Sequence, residues 1–172
     1  PFLQMFGRSD MQAHDLEKFA EWLTTILIVN HSKAAGYPLL DSEARSALRK
    51  ASGRSLPSVG HRLAIEMQSA KSEEKIKRWR NVVGPVFRGI WPLDVELQTP
   101  QATFTLVRIL LAAGEAFPEA ADVIIPFIQP DDPRSQSTIY SIAEADEALY
   151  QSAPSKMLDL VAAVVGDAPV GS

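Results

Sequence analysis

The stretch from Thr99 to Ile128 most narrows what this chain can fold into. Thr99-Pro100 is a helix start. A threonine hydroxyl can accept from a free first-turn N–H, and proline at the first helical position gives up no hydrogen bond. Phe104, Val107, Leu110, Leu111 and Ala113 then recur at spacings of three and four, with Arg108 and Glu115 among them. This is the pattern of an amphipathic helix with a broad buried face. Gly114 weakens its end and Phe117-Pro118 stops it, since the residue before proline is pushed out of the α region. Pro118 opens a second helix, with Glu119 and Asp122 early in it, where the helix dipole favours negative charge. That helix is expected to bury Ala121, Val123, Ile124, Ile125, Phe127 and Ile128. Pro126 kinks it or ends it early, and Pro130 closes the unit.

A second unit of the same design follows. Pro154 stands 36 residues after Pro118, and at that offset Ile124 aligns with Leu160, Ile125 with Val161 and Ile128 with Val164. Ser152 or Ser155 supplies a cap and Gly166 a terminating glycine. Residues 137–151 form the matching first helix, through Ile139, Ile142, Ala143, Ala145, Leu149 and Tyr150. Two helices per unit of this length is the signature of an α-solenoid. The alternative is an irregular helical bundle whose proline-led helices are alike without being repeats.

The rest of the chain has the same punctuation. A helix is expected from Asp10 to about His31, with Leu16, Phe19, Ala20, Leu23, Ile26 and Leu27 in period and Trp22 and Ile28 widening its buried face. Asp41 caps a second helix that Gly53 ends. Pro57 opens a third, with Val59, Leu63, Ile65 and Met67 inside. Ser72 caps a fourth, with Ile76, Trp79, Val82 and Val83 as its core stripe, and Gly84-Pro85 ends it. Val86 to Leu93 forms a short helix or packed turn. No segment alternates with period two, so the chain is expected to be all-α: stacked antiparallel hairpins, or an irregular bundle.

At 172 residues and 46% hydrophobic content, one domain over 1–172 with a real core is expected. It holds two possible hairpin repeats over 99–166. The first residue is Pro1 and the last six follow a strong helix directly, which suggests a piece of a longer polypeptide. The absence of cysteine excludes disulfides and thiolate metal sites and fits a cytoplasmic protein. No apolar run, Ile26 to Val29 among them, comes near the length of a membrane span.

Charge is segregated along the chain. Residues 1–42 hold 3 basic and 5 acidic side chains, residues 43–90 hold 11 and 4, and residues 91–172 hold 3 and 12. The balances of −2, +7 and −9 lie behind a net charge of only −4. Arg45, Arg49, Lys50 and Arg54 form one basic cluster, and Lys71, Lys75, Lys77, Arg78 and Arg80 another. Such clusters can follow a phosphate backbone, with counterion release and a steep dependence on salt. The candidate nucleic-acid contacts are therefore Arg45, Arg49, Lys50, Lys75, Lys77, Arg78 and Arg80. A solvated face with Glu73 and Glu74 paired to Lys77 and Arg78 is the plainer alternative. A third is that the basic middle docks on the acidic half. Trp79 belongs to the core stripe and is not a stacking platform.

No catalytic chemistry stands out. His14, His31 and His61 lie apart, without metal-ligand spacing, and are expected at the surface or at caps. Asp131-Asp132 and the group Glu144, Asp146 and Glu147 lack the ligand spacing of a calcium loop. There is no phosphate loop, dinucleotide fingerprint or nucleophile elbow. A non-enzymatic role with no cofactor and no metal is expected.

The proline-led pair Thr99-Pro100 … Phe117-Pro118-Glu119 … Ile125, followed by Pro154 … Asp159-Leu160-Val161, resembles helical repeats of the HEAT type. Over Phe87 to Gly166 the chain also resembles helical regions of large prokaryotic proteins. The resemblance implies an array of antiparallel helix pairs used as an interaction surface, and no catalytic residues. Its partner would be a protein or a neighbouring domain, met through Glu115, Glu119, Asp122, Glu144 and Glu147, with nucleic acid as the alternative and no membrane.

Overall fold

The computed structural model describes residues 13–32, 38–49, 55–91, 99–130 and 137–166. All regular structure among these residues is helical. Ten α-helices occur in it: α1 (Ala13–Ser32), α2 (Pro38–Arg49), α3 (Leu56–Ser69), α4 (Lys75–Arg78), α5 (Gly84–Ile90), α6 (Pro100–Ala112), α7 (Phe117–Ile124), α8 (Ser137–Ala143), α9 (Glu147–Ser152) and α10 (Pro154–Val165).

These helices pair as hairpins. Asn30 and His31 at the end of α1 meet Asp41 and Arg45 on α2. Glu66 near the end of α3 meets Arg78 on α4 at 2.7 Å. Thr103 near the start of α6 exchanges hydrogen bonds with the backbone of Gln129 beyond α7, at 3.3 and 3.4 Å. α8 and α9 pack against α10.

Contacts between successive hairpins link corresponding helices, and where two contacts join a pair, as between α2 and α5 and between α4–α5 and α7, the helices run in the same direction. Arg62 of α3 donates to the Thr25 hydroxyl of α1, and His61 lies against Arg108 of α6. Arg45 and Arg49 of α2 donate to the carbonyls of Pro85 and Gly89 at α5. Arg80 grips Glu119 of α7, and Phe87 packs edge-on against Phe127 at 5.7 Å. Asp122 of α7 takes Lys156 of α10 at 2.6 Å. First helices α1, α3, α6 and α8 thus form one layer, and second helices α2, α4–α5, α7 and α10 the other. One continuous cluster of buried side chains, from Ala20 to Val164, lies between them.

Several starts and stops follow the local chemistry. The Thr99 hydroxyl accepts from Ala102 N at 3.2 Å, with Pro100 in the first turn. α7 ends at Ile124 and passes into a single 3-10 turn, Ile125–Phe127, around Pro126. Trp79 is fully buried, Ile124, Leu160 and Val164 are core, and Ile125 and Val161 are each partly exposed.

Other expectations are corrected. Gly84-Pro85 does not end the fourth helix. A π turn, Trp79–Val83, carries the chain from α4 into α5, with Gly84 N–H bonded to Trp79 O five residues back. The wider turn makes room for a proline ring that would strike the carbonyl four residues earlier. A Cβ on Gly84 would lie 2.9 Å from that Trp79 carbonyl, so the absent side chain permits the turn. α6 ends at Ala112, before Phe117-Pro118, because Gly114 takes φ +55°, a conformation that favours glycine. α2 starts at Pro38, with Asp41 inside its first turn. Residues 137–151 break into α8 and α9, where Asp146 caps α9 through Ala148 N. Neither serine caps α10: Ala153 is its N-cap residue, and the Ser152 hydroxyl bonds back to Leu149 O. Trp22 is 46% exposed and stacks on Phe19, so it does not widen the buried face of α1.

α3 and α6 make the most extensive helix–helix contact and come close at Gly60. A Cβ at Gly60 would stand 2.2 Å from Thr105 Oγ1 and 2.8 Å from its Cβ. Alanine is intrinsically the better helix former, yet Gly60→Ala must push the two helices apart. It is expected to destabilise the fold by about 1–3 kcal/mol in chemical denaturation. Gly89→Ala meets only the guanidinium end of Arg45, which must swing away from the Pro85 carbonyl, and is expected to cost less than Gly60→Ala, about 1 kcal/mol.

Candidate functional site

The two charged surfaces marked by the sequence meet in the second-helix layer, and most of the basic side chains there have internal partners. On α2, Arg45 pairs with Asp41 at 2.7 Å and reaches the Pro85 carbonyl, while Arg49 donates to the Gly89 carbonyl at 2.7 Å. Arg78 pairs with Glu66, a buried carboxylate that Arg62 also approaches at 3.7 Å. It does not pair with Glu74 four residues before it, because the turn into α4 brings Glu66 closer. Arg80 holds Glu119 through two nitrogens, one of them 2.9 Å from Oε2. Lys77 is exposed, as are Lys71 and Arg88. Lys50 and Arg54 lie outside the described residues.

Lys75 is placed differently from its neighbours. Its ammonium donates to the Ala112 carbonyl at 2.9 Å and also to the Met67 carbonyl. Those carbonyls belong to the last turns of α6 and α3, where unpaired backbone oxygens and the negative dipole ends gather. Burial pushes the Lys75 amine below its ordinary value. A cleft of about 460 Å³ opens beside it, lined by Gln68, Ser72, Leu111, Glu115, Asp146 and Leu149 among others. Lys75 is thus a cap for two helices, not a free cation.

On the acidic side, Glu119 and Asp122 are held by Arg80 and Lys156 respectively. Arg80 keeps the Glu119 carboxyl below the usual carboxylate range. Glu115 and Glu144 are exposed, and exposed Glu147 accepts from Gln151 one turn on. Sequence spacing groups all five. The structure separates two that join hairpins from three that face water.

The histidines are structural or exposed. His14 and His61 are exposed, and Arg108 donates toward His61 Nδ1 at 3.2 Å while lying over the Phe104 ring. His31 is partly buried, with Arg45 Nη2 2.6 Å from its Nε2. Arginine can only donate, so this nitrogen accepts and the ring is neutral. Burial first, and Arg45 second, lower the His31 pKa, against a smaller opposing pull from Asp41. No group of three or more His, Asp or Glu able to hold a metal occurs among the described residues. No described helix is long and apolar enough to cross a membrane.

No protein-family model and no solved structure matches this chain. It is similar to uncharacterized protein y4cA of Sinorhizobium fredii (strain NBRC 101917 / NGR234), with 24% identity over 86 residues. That stretch is 50% of this chain and 7% of the relative, so the chain spans a small part of a much longer protein.

Two measurements test these assignments. Lys75→Met removes both carbonyl partners and leaves the methylene packing. It is expected to cost about 1–3 kcal/mol in a denaturant titration. The lowered His31 pKa means that the unfolded chain takes up its proton first as pH falls. His31 therefore adds stability above its ordinary value near 6.5, and that contribution is lost progressively below it. His31→Gln is expected to flatten the stability profile between about pH 7 and 5.

Proposed function

We infer that the chain is a non-catalytic helical scaffold of HEAT-like hairpins that binds another protein or a neighbouring domain. The observation that carries this reading is the spacing of contacts between hairpins. Side-chain contacts that join successive first helices or successive second helices span sequence separations of 34, 37, 39, 40 and 47 residues, centred near 40. Helical repeats of the HEAT and armadillo kinds have periods of about 40–47 residues. Each unit rests on its neighbours, which leaves one long surface per layer for a partner.

Nucleic-acid contact through the basic segment is the weaker reading. Arg45, Arg49, Lys75, Arg78 and Arg80 are each engaged within the fold, which leaves few adjacent cations among the described residues to follow a phosphate backbone. The similarity to a stretch of the S. fredii protein adds that such a segment can be embedded in a much longer chain.

The test separates the readings. Fluorescence anisotropy with labelled single- and double-stranded DNA and RNA is expected to show no binding at near-physiological salt. Tight binding with a steep salt slope would replace the scaffold reading with the nucleic-acid one. Against a protein partner, the triple exchange of Glu115, Glu144 and Glu147 for lysine is expected to weaken binding about tenfold or more, with the fold intact by circular dichroism. These three carry no contact between hairpins. Unchanged binding would remove the acidic face from the interface.

A further inference from the structure

α10 is apolar on two sides. Met157, Leu160 and Val164 are buried against the body, while Leu158, Val161 and Val165 are 70%, 38% and 48% exposed. The exposed three are spaced by three and four residues, the spacing of a seam between two packed helices. No charge interrupts them. The two charged side chains of the helix, Lys156 and Asp159, lie 3.7 Å apart, and Lys156 also binds Asp122. On α8, which packs against α10, Ile139 and Tyr140 are exposed as well.

The position of this stripe in the stack gives it meaning. α2 holds α5 through Arg45 and Arg49, α4–α5 holds α7 through Arg80, and α7 holds α10 through Asp122. Thirty-six residues after Asp122, the same position on α10 is Leu158. Where each earlier second helix meets its neighbour through a polar side chain, α10 presents an uncovered leucine. At the other end of the stack, Asp15, Lys18 and Glu43 are exposed on α1 and α2 beside the half-exposed Trp22. A head-to-tail assembly would set this charged end against the apolar one.

The stripe is also self-complementary. About a centre between Val161 and Ala162, Leu158 corresponds to Val165, and Asp159 to the buried Val164. Two antiparallel α10 helices therefore set Leu158 of each copy against Val165 of the other, with no like charges opposed. We propose that a second copy of this chain covers the α10 face, forming a closed two-fold dimer through Leu158, Val161 and Val165. Such an isologous contact covers one face per chain and leaves the polar end in water.

Sedimentation equilibrium of the full chain is expected to give a mass that rises with concentration from one chain to two and stops there. Leu158→Asp, at a site already facing solvent, is expected to weaken the dimer about tenfold or more without changing the circular dichroism of the monomer. Because the chain has no cysteine, Val161→Cys places a single thiol beside the two-fold axis. Oxidation is expected to link two chains through it, and not through Glu43→Cys at the far end. A monomer at every concentration overturns the proposal. So does a dimer indifferent to Leu158→Asp, equal cross-linking through Glu43→Cys, or a mass that grows past two chains.

Discussion

The fold depends on how closely α3 and α6 approach. Both point the same way, so their partial positive ends meet at one edge of the first-helix layer and their negative ends at the other. Head-to-head alignment of dipoles is unfavourable, and two things offset it here. At Gly60 the absent side chain lets α3 rest directly on Thr105, so that Leu63, Ala64, Met67, Leu106, Ile109 and Leu110 are removed from water together. Each large side chain of that kind contributes about 1.5–3 kcal/mol on full burial. At the far edge, the Lys75 ammonium answers the last carbonyls of both helices. The cation is partly desolvated in doing so, which is why its pKa falls. That position suits a side chain that binds two helix ends and leaves no other role for its charge.

The same geometry explains why a chain of net charge −4 is so unevenly charged. In a stack of parallel second helices, a side chain meets another about 40 residues away, so charge segregated by sequence becomes charge opposed in space. Arg80 from the basic middle meets Glu119 from the acidic half. Such exposed pairs contribute little to stability. Their effect is on register: a one-turn slip of α7 along α4–α5 would leave Glu119 away from Arg80 and break the edge contact of Phe127 with Phe87. Complementary charge with an aromatic contact beside it specifies one alignment where apolar packing alone tolerates several.

Much of this was legible in the residues. The cap at Thr99, the helix opened by Pro118 and the buried positions Ile124, Leu160 and Val164 came from local rules of capping, proline geometry and periodicity, and the structure has them. The failures were tertiary. Gly84-Pro85 reads as a stop, yet a π turn with the Gly84 N–H on the Trp79 carbonyl carries the helix through it. Ile139 and Trp22 fit their helical periods, yet each is 46% exposed. Lys75 looks like its neighbours Lys77 and Arg78, and nothing local says that two helix ends converge on it. The basic cluster shows the same limit, because periodicity assigns a residue to a face without saying what lies opposite.

The two ends of the stack carry the last consequence of this architecture. In a solenoid every internal helix is apolar on both lateral sides, and a terminal helix stays soluble only where its outer side is polar. α1 and α2 satisfy that condition, Trp22 aside. α10 does not, for its outward side is as apolar as its inward one, and its charges are drawn to α7. A helix with apolar residues on opposite sides is an internal helix by composition. What meets α10 has to be apolar, helical and aligned with its axis.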